Sequence, residues 1–290
     1  MSEQGFPPRV ILMGAQKAGT TQLASYLEQH PEIILSSPKE PDFYTRHWEQ
    51  GLDWYKTRFT VLSKILIDAS TSYSCAPLDK HFAADINAKS AYRDIPQRIK
   101  SVSADAKFIY IMRDPVKRAH SAYLHQVRAG LEPQPFEQAV KRNTYYLRTG
   151  HYAGQIELYL QHFDIDRFKF LFFEDFISKP HTLVAECFKF MGLDDAITLN
   201  DHVSRNQSFV YKGKWDKLNI LLRKKGGVNK LVKTIKPLIP RTFLHKAAEV
   251  MTEKPTEMTQ QQKDFLTEFY QQPNEQLKQL LNLSNLPWEQ

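Results

Sequence analysis

Short, unbroken apolar runs alternate with stretches of helical period along the first two thirds of the chain. Arg9 to Met13 carries Val10-Ile11-Leu12-Met13, which reads as a strand buried on both faces. Ile33-Ile34-Leu35, Ile65 to Asp68, Phe108 to Met112 and Phe168 to Phe173 repeat the pattern. Between them the spacing predicts a helix from Thr20 to about His30, ended by Pro31, and another from Ile95 to Val102 with Asp94 as cap and Pro96 in the first turn. Trp48 to Phe59 reads as an aromatic-rich helical stretch, and Ser36 to Asp42, with Pro38 and Pro41, as a loop. Further helices are expected over Pro115 to Arg128, with Asp114 as cap, and over Phe136 to Leu147, Tyr152 to His162 and Pro180 to Met191, the last stopped by Gly192. Strands alternating with helices predict an α/β fold, a parallel sheet with helices on both faces.

Beyond Asn200 the pattern loosens. Trp215, Leu218, Leu221 and Leu222, then Val228, Leu231, Val232 and Ile235, have helical spacing interrupted at Gly226-Gly227, and helices are expected at about Gln261 to Tyr270 and Asn274 to Leu281. No repeat or low-complexity tract occurs. At 290 residues, 42% hydrophobic and 24% charged, the composition is that of an ordinary globular protein. Met1 to Pro8 has no basic segment followed by an apolar one, and no run of eighteen apolar residues occurs, so a cytoplasmic location is expected.

Cys75 and Cys187 fall in no metal-binding or redox spacing and read as buried, reduced thiols. His120 and His125 are five apart and do not share a helix face, so no metal site is proposed. The net charge of +7 is local: Lys212 to Lys236 holds nine basic residues and one acid, Asp216, which leaves the rest of the chain slightly acidic.

The candidate chemistry begins at Gly14-Ala15-Gln16-Lys17-Ala18-Gly19-Thr20-Thr21, between the first strand and the first helix. A glycine-bounded turn there aims backbone N–H groups and a helix N-terminus at one spot, a cradle for phosphate. Gly14 and Gly19 have P-loop spacing, but Thr20 stands where the ATP- and GTP-binding pattern needs lysine, and Lys17 lies inside the turn instead.

With Arg113-Asp114-Pro115-Val116-Lys117-Arg118-Ala119-His120-Ser121-Ala122-Tyr123, this turn resembles the sulfotransferases that use 3′-phosphoadenosine-5′-phosphosulfate (PAPS). The likeness runs from about Arg9 to Met191, returning near Lys212 and at Leu283 to Trp288. It implies one sulfotransferase domain over residues 1–290, a P-loop-like nucleotide-binding core at 1–200 and a basic loop with a helical C-terminal part at 201–290. It implies that Gln16, Lys17, Ala18, Gly19, Thr20, Thr21 and Gln22 hold the 5′-phosphosulfate, and that Arg113 and Ser121 hold the 3′-phosphate. Lys212-Gly213-Lys214 is similar to the family's segment that closes over that phosphate. Arg118 and Tyr123 read as structural.

Sulfuryl transfer needs in-line alignment, charge stabilisation on the leaving oxygen and a proton acceptor. Lys17 suits the second task, leaving 3′-phosphoadenosine-5′-phosphate as product without a metal. For the third, Glu40, Asp42 and His47 are candidates; Lys39-Glu40-Pro41-Asp42-Phe43-Tyr44 resembles the stretch in glycan-modifying members whose Glu is the base, which selects Glu40 and a carbohydrate hydroxyl. Lys39 would assist Glu40 or face the sulfate. The chain departs from heparan-modifying members in having Ala69 before Ser70-Thr71, where they carry Lys before Thr-Pro, and in lacking the paired cysteines of their C-terminal loop.

Two alternatives follow from the same residues. One is a nucleotide kinase or NTPase, with Asp68 at a strand end as the magnesium-holding acid. The other is a membrane- or nucleic-acid-binding module built on Lys212 to Lys236, which leaves both phosphate motifs unused. As an accessory, that basic segment is expected to meet an anionic membrane or polyanion, with no nucleic acid partner.

Overall fold

The computed structural model describes residues 5–78, 90–201, 210–211, 252–253 and 257–289. Its centre is a five-stranded, all-parallel sheet: β1 (Val10–Gly14), β2 (Ile33–Leu35), β3 (Ile65–Asp68), β4 (Lys107–Met112) and β5 (Phe168–Phe172), in the order β2-β3-β1-β4-β5. All of β1 and the last five residues of β4 are buried, as their unbroken apolar runs require. The chain leaves β1 to one side and returns as β4 on the other, so the loops after these neighbouring strands diverge and open a crevice at their carboxyl ends.

Helices flank the sheet: α1 (Thr20–Leu27), α2 (Gly51–Lys56), α3 (Ile95–Val102), α4 (Pro115–Arg128), α5 (Phe136–Arg142), α6 (Tyr145–Arg148), α7 (Tyr152–Leu160), α8 (Phe173–Ser178), α9 (Pro180–Met191) and α10 (Gln260–Leu281). Packing joins α1 to α9, and α10 to α7 and α4. A short antiparallel pair, β6 (Val210–Tyr211) and β7 (Thr252–Glu253), lies beyond the main sheet. Among the described residues no helix is long and apolar enough to cross a membrane. Cys75 and Cys187 are buried free thiols.

Four expectations are corrected. Asp94 does not cap α3: its φ is +56° and its side chain accepts no cap bond, whereas a capping residue is extended. The helix expected over Phe136 to Leu147 is broken at Asn143, whose side chain accepts the Tyr145 N–H at 3.1 Å and competes with the helical bond. Phe173 does not extend β5 but opens α8, with Glu174 and Asp175 in its first turn. The two C-terminal helices are one, running through Pro273 behind a Thr259–Gln262 capping box. Leu266, Tyr270, Pro273 and Leu277 form its buried stripe, and that burial outweighs the bond lost at proline, a cost of about 3 kcal/mol. The helices expected between Trp215 and Ile235 lie outside the described residues.

Candidate active site

The turn after β1 is fixed from both sides. Ala15 N–H donates to the Ile111 carbonyl of β4 at 2.7 Å, and Ala18 N–H closes the turn on the Ala15 carbonyl at 3.1 Å. Lys17 and Gly19 have positive φ, +69° and +88°. Gly19 precedes α1 with no side-chain cap bond and no acid in the first turn, so the first N–H groups of α1 remain available to an anion. Gly19 is required twice over, by its φ and because a Cβ there would lie 2.8 Å from the Phe173 ring.

Phe173 carries the second element. The Arg113 guanidinium lies 4.8 Å from the Phe173 ring centroid and donates from Nη1 to the Lys17 carbonyl at 3.1 Å. It points at the turn and forms no ion pair with a carboxylate among the described residues. Its backbone is clasped by Tyr152, whose hydroxyl donates to the Arg113 carbonyl at 2.6 Å. Next to it, Asp114 caps α4, accepting from Val116 N–H at 2.9 Å and Lys117 N–H at 3.4 Å, and α4 carries Ser121 to the same crevice.

The result is a cleft of about 1040 Å³ lined by Gln16, Lys17, Gly19, Thr20, Thr21 and Gln22 of the turn, together with Arg113, Ser121, Glu40 and Thr71. Burial pushes the Lys17 ammonium below its ordinary pKa, and the nearby Arg128 and Arg113 add to the effect. Burial likewise lowers Arg113. Among the described residues, Gln16 Oε1, Arg113 Nε and the nearby Glu174 Oε2 are buried without a hydrogen-bond partner. Crowded cations, orphaned polar atoms and an uncapped helix start together describe a site built for an anionic, hydrogen-bonding ligand.

The sequence-predicted residues thus converge, with two qualifications. Ala18 is fully buried, spends its N–H inside the turn and does not line the cleft. Lys212, Gly213 and Lys214, with the basic segment to Lys236, lie outside the described residues. Among the candidate bases only Glu40 lines the cleft, its carboxylate 3.2 Å from both Lys39 Nζ and Thr71 Oγ1. Asp42 is engaged by Ser72 at 2.6 Å and Arg46 at 3.1 Å, and His47 packs on Trp54. Arg118 is fully buried and donates to the Tyr146 carbonyl, and Tyr123 donates to the Gln134 carbonyl at 3.1 Å, both structural.

Asp68 does not suit a magnesium-holding role. It is fully buried and takes four hydrogen bonds: from Ser70 N–H and Oγ at 3.0 and 2.6 Å, and from the Tyr55 and Tyr73 hydroxyls at 2.7 Å each. Those bonds fill the lone pairs a metal would need. Sequence reasoning missed Phe173 and Thr71. The acids following Phe173 were a helix-start signal, whereas Thr71 stood out only in the family comparison of Ser70-Thr71, with no role attached.

The family model described as sulfotransferase domain matches residues 7–281. Heparan sulfate glucosamine 3-O-sulfotransferase 3B1 of Mus musculus is 29% identical over 212 residues, 69% of this chain and 50% of that protein. Bifunctional heparan sulfate N-deacetylase/N-sulfotransferase 3 of Mus musculus is 29% identical over 222 residues, 67% of this chain and 24% of that protein. The chain therefore spans half or less of the length of these relatives. A crystal structure of a sulfotransferase from Alicyclobacillus acidocaldarius shares the fold, with a TM-score of 0.68 and 21% identity over 98% of this chain and 99% of that one.

Proposed function

The chain belongs to the sulfotransferase family, and on that premise we propose that it moves a sulfuryl group from PAPS to a hydroxyl of a carbohydrate acceptor. One observation carries the reading: the Lys17 turn, Arg113, Ser121 and Glu40 line a single cleft. PAPS, when bound, supplies the sulfuryl group and departs as 3′-phosphoadenosine-5′-phosphate.

The turn from Gln16 to Gln22 would hold the 5′ end with the backbone N–H groups it leaves unspent, Ala18 excepted, and with the Thr20 and Thr21 hydroxyls. Lys17 would stabilise charge on the leaving oxygen, and its partial burial would strengthen that interaction relative to water. Arg113 offers a planar fork to the 3′-phosphate, pre-oriented by Phe173 and by Lys17 itself, and Ser121 adds a hydroxyl. Glu40 receives the acceptor's proton. The carbohydrate class is supported by the stretch around Glu40 and by the heparan sulfate enzymes among the relatives.

Glu40→Gln and Arg113→Ala separate these roles. Glu40→Gln should lower kcat by about a hundredfold or more, with 3′-phosphoadenosine-5′-phosphate binding unchanged by calorimetry. Arg113→Ala should weaken that binding by about tenfold or more, since a charge-assisted contact is worth about 1.5–3 kcal/mol. Wild-type turnover by the Gln variant would overturn the base assignment, and unaltered nucleotide affinity in the Ala variant would overturn the phosphate assignment.

A further inference from the structure

The segment after β3 grips the loop that bears Glu40 residue by residue. Ser70 Oγ accepts the Asp42 N–H at 2.9 Å, Thr71 Oγ1 donates to Glu40 Oε2 at 3.2 Å, Ser72 Oγ donates to Asp42 Oδ1 at 2.6 Å, and the Tyr73 hydroxyl accepts the Tyr44 N–H at 3.3 Å. The segment is itself anchored. Asp68 binds Ser70 and Tyr73 from beneath, and Ser74 packs so closely on the start of the phosphate turn that a Cβ on Gly14 would lie 2.2 Å from Ser74 Oγ. The 3-10 turn Thr71–Ser74 therefore spans the gap between the anion cradle and the carboxylate.

Within this set, Thr71 reaches the reacting side. It lines the cleft yet is only 5% exposed, so its hydroxyl has little water to exchange for Glu40. Lys39 Nζ meets the other carboxylate oxygen, Oε1, at 3.2 Å and is braced on the Ala69 carbonyl at 3.3 Å. The Glu40 side chain is 41% exposed, so one donor on each oxygen biases the orientation of its carboxylate and leaves the remaining lone pairs for an incoming hydroxyl.

We propose that Thr71 is a positioning residue for sulfuryl transfer, orienting Glu40 relative to the donor turn; this rests on Glu40 being the proton acceptor. Its hydroxyl acts through the carboxylate. The test is steady-state kinetics with PAPS on Thr71→Val, Thr71→Ser, Glu40→Gln and the Glu40→Gln/Thr71→Val pair, alongside nucleotide affinity by calorimetry. Thr71→Val keeps the shape and removes the hydroxyl; it should lose about three- to tenfold in kcat, the worth of one net hydrogen bond, with KM for PAPS and nucleotide affinity unchanged. Thr71→Ser should restore at least half of the wild-type kcat. In the Glu40→Gln background, Thr71→Val should cost nothing further.

If Thr71→Val unfolds at lower temperature and cannot be assayed, Thr71→Ala carries the same expectations. A Thr71→Val enzyme with wild-type kcat beside an inactive Glu40→Gln enzyme would overturn the positioning role and leave the base in place. Full activity of Glu40→Gln would overturn the base, and the positioning role with it. A loss confined to KM for PAPS would assign Thr71 to the donor and overturn the proposal.

Discussion

Gly19 shows how much one residue decides. Its φ of +88° and the 2.8 Å separation of a Cβ from Phe173 mean that Gly19→Ala must strain the backbone and push away the ring that supports Arg113. We expect a loss of about 1–2 kcal/mol in stability from the left-handed conformation alone, measured by denaturant unfolding. A drop of about tenfold or more in 3′-phosphoadenosine-5′-phosphate affinity should accompany it; full affinity would show that the turn tolerates displacement. At this scale Lys17, Gly19, Arg113 and Ser121 were legible because a glycine turn after an apolar run and an Arg-Asp-Pro helix start have local signatures. Phe173 and Thr71 were not, since one matters by lying against a residue sixty positions away and the other by reaching back thirty-one.

At the level of elements, β3 ends in a buried carboxyl that links packing to pH. Burial raises Asp68 from 3.8 to about 6, against the opposing pull of the Ser70, Tyr55 and Tyr73 hydrogen bonds. Between those values the folded chain holds more protons at this site than the unfolded one, so its contribution to stability is fully present at low pH and declines as pH rises to about 6. A shift of two units corresponds to about 3 kcal/mol at most. The expected result is that Asp68→Asn flattens this decline in a series of urea melts from pH 4 to pH 7; an unchanged slope would show that another group sets it. The same element scale explains why strands were read well and the long C-terminal helix was not. Short apolar runs identify buried strands without outside information, whereas continuing a helix through Pro273 depends on the surface that its stripe buries.

For the molecule as a whole, the C-terminal segment completes the core that holds the site. Leu277 and Leu286 are fully buried within the main hydrophobic cluster, and Trp288 packs on Phe172 and on Tyr152, the residue that clasps Arg113. Leu286→Ala should therefore cost about 2–4 kcal/mol in a single cooperative transition; a separate early transition would mean that the C-terminal part unfolds on its own. The amino-acid sequence alone determined the α/β class, all five strands of the sheet to within a residue, and the glycine turn with the distant arginine and serine that share its cleft, because each is written in periods and spacings a few residues long. Only the tertiary structure decided that Asp42 and His47 are engaged elsewhere while Glu40 lines the cleft, that Arg113 stacks on Phe173, and that Asp68 is spent internally. Those outcomes depend on which side chains meet across strands and loops, and hydrogen-bond satisfaction in a buried crevice is settled by partners that local sequence does not name.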